Sequence, residues 1–201
     1  MGPTAYFFAI FVKFFFLLTP FFVLSVFLSL TRDAEEKLRR RAAARMTRAV
    51  ILISLVLYFF GDSIFQIFGI TLDSFRIGAG ALLFLSGVDL VRGDRVAGRD
   101  VDLEEASVVP LAIPITVGPA TTGALLILGA EVQDAWQKVI GCLALLAAVL
   151  AVGLLLYAGA LVERVLGRRG ITILSRLTGL IIAAISAQLV FTGIRNFLFP
   201  Q

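Results

Sequence analysis

Long apolar segments limit what this chain can fold into more than any other feature of the sequence. A helix needs about 20 apolar residues to cross the hydrocarbon core of a bilayer. Helices satisfy their own backbone hydrogen bonds in lipid, and the chain lacks the period-two alternation of a barrel wall. The sequence therefore predicts an all-α, polytopic membrane protein with six transmembrane helices, which cover residues 5–30, 49–70, 77–91, 108–130, 139–162 and 177–199.

The composition leaves no room for a separate soluble domain. Hydrophobic residues make up 59% of the 201 residues and charged residues 16%, against about 25% charged in ordinary globular chains. We therefore expect a single transmembrane domain, 1–201. The chain has no histidine, which removes the usual zinc ligand and general base, and it carries no H-E-x-x-H, G-x-S-x-G or ATP-binding glycine motif. We expect neither catalytic residues nor a metal or cofactor.

The basic residues predict how the spans are oriented. Fourteen Lys and Arg side chains follow spans one, three and five, whereas three lie on the other side. Positively charged loops stay in the cytoplasm, so we expect a multi-pass plasma (inner) membrane protein, surrounded by membrane lipids, with both termini outside. The net charge of +4 is then a topology signal, and we expect no nucleic-acid partner. The densest basic cluster, 31–48, predicts a helical extension of span two at the anionic inner leaflet, capped by Asp33 and Glu36. We favour a topology signal for this cluster, and a lipid-specific site is the alternative.

The chain also resembles itself at an offset near 100 residues. Each half would hold three spans, and an odd number makes the second half enter from the opposite face, which gives two inverted three-helix repeats, 1–100 and 101–201. Secondary transporters often have this architecture, with the substrate near the midplane where the halves meet; a duplicated scaffold without transport is the alternative. For Arg76 and Arg176, which match at this offset, we favour a structural task over ligand binding. The matching positions are Arg76 and Arg176, Ser86 and Ser186, and Gly93 and Gly193 at an offset of 100, and Thr19-Pro20 and Gly118-Pro119 at an offset of 99.

Prolines interrupt two of the predicted spans at related positions, so we expect helices 1 and 4 to be broken. Span four has prolines at 110, 114 and 119, each of which lacks an N–H and clashes with the carbonyl four residues earlier. A half-helix after such a break directs N–H groups and a partial positive charge at a ligand, which suits a carboxylate. In span one, Pro20 frees the carbonyl of Phe16; a simple kink is the alternative at each break. The substrate is expected against Thr19, Pro20, Thr116, Gly118, Pro119, Thr121 and Thr122.

Polar side chains elsewhere in the spans add candidates. Gln188 lies in the middle of span six, where an amide either contacts substrate or bonds to another helix. Ser86 and Ser186 are candidates for lining the same cavity. Asp89, one turn from the cytoplasmic end of span three, is a candidate proton relay or a hydrated helix end.

Three segments of the chain carry a family resemblance. Residues 110–123 (PLAIPITVGPATTG), 75–91 (FRIGAGALLFLSGVDLV) and 175–194 (SRLTGLIIAAISAQLVFTGI) together resemble the MarC family of bacterial and archaeal inner-membrane proteins. That family includes the SnatA type of small neutral amino-acid transporter and is related to LysE-type exporters. The resemblance implies a six-span membrane protein that moves glycine, alanine or similar amino acids. Span one departs from the family, whose members commonly have a sequence similar to N-P-x-G-x-x-P where this chain reads T-P-F-F-V-L-S from Thr19.

Together these features predict a secondary transporter of small neutral amino acids or similar small solutes, with the coupling ion and a homo-oligomeric state left open. The carboxylate of the substrate would face the N–H groups near residues 118–122. An ion or small-solute channel and a non-transporting scaffold are the alternatives. A channel would conduct without saturation, and a scaffold would bind no ligand that raises its melting temperature.

Overall fold

The computed structural model describes residues 2–32, 34–93, 117–132 and 134–199, and the regular structure within these ranges is helical. Five helical segments of this part are long and apolar enough to cross a membrane, and the apolar helix at 120–130 is shorter. The polytopic all-α fold is therefore confirmed. The helices are α1 (Pro3–Leu17), α2 (Pro20–Leu30), α3 (Glu36–Phe68), α4 (Leu72–Arg92), α5 (Pro119–Ala130), α6 (Ala135–Tyr157) and α7 (Gly159–Leu198).

Two predicted spans end at different residues from the helices found at those positions. Span three is longer than its apolar run, because α4 also includes the polar turn after Thr71, whose side chain accepts a hydrogen bond from the N–H of Ser74. Span five ends earlier, since the chain turns at Ala158 and the polar residues expected in a loop form the start of α7, which bends at Gly167. Hydropathy marks contact with lipid, whereas helix ends depend on backbone hydrogen bonds, so the two boundaries do not coincide.

The predicted helical extension of span two is present, but its predicted cap is wrong. Helix α3 begins at Glu36, and Glu35 is its N-cap residue without a side-chain hydrogen bond. Glu36 instead forms an ion pair with Arg40 one turn later, while Asp33 lies outside the described residues. The carboxylate of Glu36 therefore stabilises the first turn of α3 through a side-chain pair at i,i+4 spacing.

The helices pack in pairs that correspond when the two predicted halves are exchanged. Helix α1 packs on α6, and α3 packs on α5; these contacts are equivalent if span one matches span four and span two matches span five. Helix α4 with α5 and α2 with α7 form a second equivalent pair, and the most extensive contact joins α4 to α7, the last spans of the halves. The pairing favours the inverted repeat, whose predicted boundary at 100 and 101 lies outside the described residues.

Glycines allow the backbones of α4 and α7 to approach closely. A β-carbon on Gly87 would lie 2.9 Å from the carbonyl oxygen of Gly179, and one on Gly179 would lie 2.7 Å from the carbonyl oxygen of Gly87. The repeat-related positions also meet reciprocally. A β-carbon on Gly193 would lie 3.0 Å from Cβ of Arg76, and one on Gly93 would lie 3.5 Å from Nη2 of Arg176.

Candidate functional site

The first predicted break is present between α1 and α2. Thr19 has a left-handed backbone, with φ 48° and ψ 54°, and Pro20 is the first residue of α2. The carbonyl of Phe16 is not free as predicted, because it accepts a hydrogen bond from the N–H of Thr19 at 3.0 Å. The tightened last turn of α1 replaces the bond that proline removes. Thr19 is buried, with 6% of its surface exposed.

Helix α5 begins with a proline as α2 does, at the position of the second predicted break. Gly118 is the N-cap residue with extended backbone, and Pro119 is the first residue of the helix. The first bond inside this helix runs from the N–H of Thr122 to the carbonyl of Gly118, at 2.8 Å. The N–H groups of residues 120 and 121 therefore have no acceptor within their own helix, which is the arrangement that attracts anions. Thr116, together with the prolines at 110 and 114, lies outside the described residues.

The break between α1 and α2 lies next to the start of α5 inside the protein. The hydroxyl of Thr121 donates to the carbonyl of Leu17 at 3.4 Å, and both residues are buried. This distance is longer than the roughly 2.5–3.0 Å of a normal O–H···O bond. The contact joins the end of α1 to the first turn of α5, so the structure brings together the observed break in span one and the position of the predicted break in span four.

A cavity of about 830 Å³ opens beside this junction, between α4 and the start of α5. Its volume lies within the roughly 300–1,000 Å³ of ligand pockets, which are mostly apolar with a few polar groups. Two predicted site residues, Gly118 and Thr122, line it. Polar groups are few here and come mainly from the backbone of Gly118 and the hydroxyls of Thr122 and Ser74. The described lining residues are Ile70, Ser74, Phe75, Gly78, Ala79, Leu82, Val117, Gly118, Thr122 and Gly123.

Four other predicted site residues lie away from this cavity. Ser186 is fully buried and donates to the carbonyl of Ala183 at 2.8 Å, so its hydroxyl is used within α7. Ser86 and Asp89 are half-buried on α4, and Gln188 is exposed on α7. None of the four is among the described lining residues, so the cavity draws its predicted members from α5 alone.

The sequence patterns described above did not identify the face of α4 that lines the cavity. Ser74, Gly78 and Leu82 recur every four residues, which places them on one side of a helix. Two of them are small, and a β-carbon added to Gly78 would meet no atom within 4 Å. This spacing was visible in the sequence, but an apolar face with small residues equally indicates helix packing, so it did not identify a cavity.

A polar cluster ties the two halves together at the end of the bundle where α4 begins and α5 and α7 end. The guanidinium of Arg76 pairs with Asp73 on its own helix and with Glu131 after α5, the latter at 2.7 Å. Asn196 of α7 donates to the carboxylate of Asp73 at 3.2 Å. These contacts favour the structural task predicted for Arg76. Because Asp73 and Arg76 belong to the predicted first half, and Glu131 and Asn196 to the second, the cluster joins the halves at one end; we call it the outer clamp, after the side on which the loop charges predict it to lie.

Comparison with known proteins places the chain among integral membrane proteins. The sequence model of the MarC family matches residues 4–198. A UPF0056 membrane protein of Methanocaldococcus jannaschii is 36% identical over 204 residues, covering 96% of this chain and 98% of the relative. One of Archaeoglobus fulgidus is 30% identical over 200 residues, covering 96% and 94%, and the UPF0056 membrane protein YhcE of Escherichia coli is 29% identical over 204 residues, covering 96% and 94%. No solved structure matches the chain. The chain belongs to the MarC family of integral membrane proteins.

Proposed function

We propose that the protein is a secondary transporter of small neutral amino acids or similar small solutes across the inner membrane, with both termini outside. The observation that carries the proposal is the junction of the interrupted first span with the start of α5, beside a cavity of about 830 Å³. Broken helices that meet between related halves are typical binding sites of secondary transporters. The resemblance to SnatA-type members supplies the substrate class.

The start of α5 offers a place for the carboxylate of the substrate. The N–H groups of Ala120 and Thr121 have no acceptor within their helix, and the helix dipole places a partial positive charge there. The hydroxyl of Thr121 makes a long contact of 3.4 Å to Leu17, which is a weak bond that a substrate oxygen can replace. Thr122 and Gly118 line the adjacent cavity, whose apolar wall would accept a small side chain.

Transport would require the halves to move relative to each other about this junction. The outer clamp joins them through the Arg76–Glu131 pair and the Asn196–Asp73 hydrogen bond. Those contacts would break when the outer side opens. Asp89 near the cytoplasmic end of α4 is the candidate relay if protons are the coupling ion.

Flux in reconstituted vesicles tests this proposal. We expect alanine or glycine uptake that saturates with substrate and falls strongly in Thr121→Val, which removes one hydroxyl at constant size, and in Pro119→Ala. Thr172→Val is the matched control, because the exposed hydroxyl of Thr172 donates within its own helix to the carbonyl of Arg168 and Thr172 does not line the cavity. Unchanged flux in both site variants would remove the site, and current that never saturates would favour a channel.

A further inference from the structure

Helix α3 is longer than the hydrocarbon core that it crosses. It contains 33 residues, which correspond to about 50 Å at 1.5 Å per residue, against a core of about 30 Å. The surplus is about 13 residues. Seven basic residues occur in 31–48 and none in 49–75, so the apolar part begins near residue 49 and the surplus is the first third of the helix.

One face of this protruding third carries a row of cations. Lys37, Arg41, Arg45 and Arg48 are all exposed, and their spacing of four, four and three residues places them on a single side of the helix. We call these four residues the basic stripe. The acidic Glu36 does not share this face, since it pairs with Arg40.

The basic stripe continues into the part of α3 that faces the acyl chains. Leu52, Val56 and Phe59 follow at the same helical spacing and are 66%, 47% and 49% exposed. The opposite face is buried, with Ala43 and Met46 in the core. The same side of α3 therefore presents cations at headgroup depth and apolar side chains below them.

The cations of the stripe have no acidic partner in the described part of the chain. The ion pairs at this end of the bundle join Arg40 to Glu36 and Arg168 to Glu163. Arg40 also lies over the ring of Tyr157, with its Cζ 5.0 Å from the centroid. The hydrogen bond of Arg48 goes to the backbone carbonyl of Ala44, so no carboxylate of the described residues neutralises its charge.

We propose that the basic stripe binds the headgroups of anionic phospholipids of the inner leaflet, with an acyl chain against the exposed side chains that follow it. Two features of one helix face identify the partner. The row of positive charges suits phosphodiester headgroups, and the apolar surface that follows it suits the acyl chains of the same lipids. A soluble phosphate ion would satisfy only the first. Positive charge near an anionic leaflet also orients the chain, but orientation alone requires neither a single face nor an adjoining apolar surface.

Quenching of a single tryptophan by brominated lipids measures which lipid lies beside the stripe. Trp136 is the only tryptophan, so Leu52→Trp in a Trp136→Phe chain reports on the lipid next to the stripe. Leu177→Trp is the matched reporter, because Leu177 is 49% exposed on α7 and Arg176 is the one basic residue among the seven that precede it, whereas two basic residues lie in the same window before Leu52. Brominated phosphatidylglycerol and brominated phosphatidylcholine are compared in vesicles.

We expect phosphatidylglycerol to be preferred at position 52 and much less at position 177. Each cation near an anionic surface corresponds to about fivefold in affinity, so Arg45→Gln should lower the preference at position 52 by up to about fivefold. Replacement of all four stripe residues by Gln should abolish it. That variant keeps ten cytoplasmic basic residues against three outside, so its orientation should be unchanged. If the variant with four replacements fails to fold, the lipid preference measured in Arg45→Gln tests the proposal.

Three results would overturn the proposal. Equal quenching by the two lipids at position 52 would show that no anionic lipid is selected there. A preference that survives loss of the stripe would assign the selection to other cations. A preference abolished by moderate inorganic phosphate would show that the stripe takes a soluble anion instead of a lipid.

Discussion

Substitution of Gly87 by alanine tests the close approach of α4 and α7 on which the packing of the two halves depends. The new β-carbon would lie 2.9 Å from the carbonyl oxygen of Gly179 and 3.0 Å from the backbone N of Ala183. A carbon normally stays about 3.3–3.6 Å from a carbonyl oxygen, and both neighbours are backbone atoms that no rotamer change can move. Such overpacking costs about 1–3 kcal/mol, against a gain of about 0.5–1 kcal/mol from replacing a helical glycine by alanine.

Gly78→Ala on the same helix is the matched control, since its β-carbon would meet no atom within 4 Å. Both variants gain the same helix propensity, so their difference isolates the steric term, about 1–3 kcal/mol in the free energy of unfolding. Equilibrium unfolding in detergent measures it, and Gly78→Ala should be at least as stable as the unaltered protein. If Gly87→Ala is as stable as Gly78→Ala, the helices are not in contact at this point and the packing described for the halves is wrong.

Three further predictions concern the break, the clamp and the relay. Thr19→Asn should raise the melting temperature, because asparagine tolerates the left-handed backbone observed at this position better than a β-branched residue; Thr19→Val should give no such gain. Glu131→Gln should lower the free energy of unfolding by about 1–2 kcal/mol, because it leaves a mostly buried guanidinium with one carboxylate. Glu163→Gln, which removes the exposed ion pair with Arg168, should lower the free energy of unfolding by less than about 1 kcal/mol. Equal losses in the two variants would show that the outer clamp stabilises the protein no more than an exposed ion pair does. Asp89→Asn should slow proton-coupled uptake in vesicles, and a transport rate indifferent to this change would reject the relay.

The sequence located the breaks but not the cavity beside them. Pro20 and Pro119 lack an N–H wherever they occur, so an interrupted helix follows from the residue itself. The lining face of α4 depends on where α5 packs, which no local pattern encodes. Gln188 illustrates the same limit, since a polar residue in a span indicates that it needs a partner but not on which side the partner lies. The structure places it on the exposed surface of α7.

The two halves share an architecture but differ in the charges at their ends, which bears on the direction of any movement between them. At the end of the bundle where α4 begins, Arg76 has Asp73 and Glu131 as partners. At the repeat-related end, Arg176 lies near Gly93, and no ion pair in the described residues includes it. Offsets of 100 and 99 place Ile173 opposite Asp73 and Arg32 opposite Glu131, so neither acidic residue has an acidic counterpart at the repeat-related position. Among the described residues, the ion pair that joins the two predicted halves lies at the end where α4 begins. If the halves move as proposed, we expect this pair to favour the arrangement that is closed at that end, and neutralising Glu131 together with Asp73 should weaken the preference.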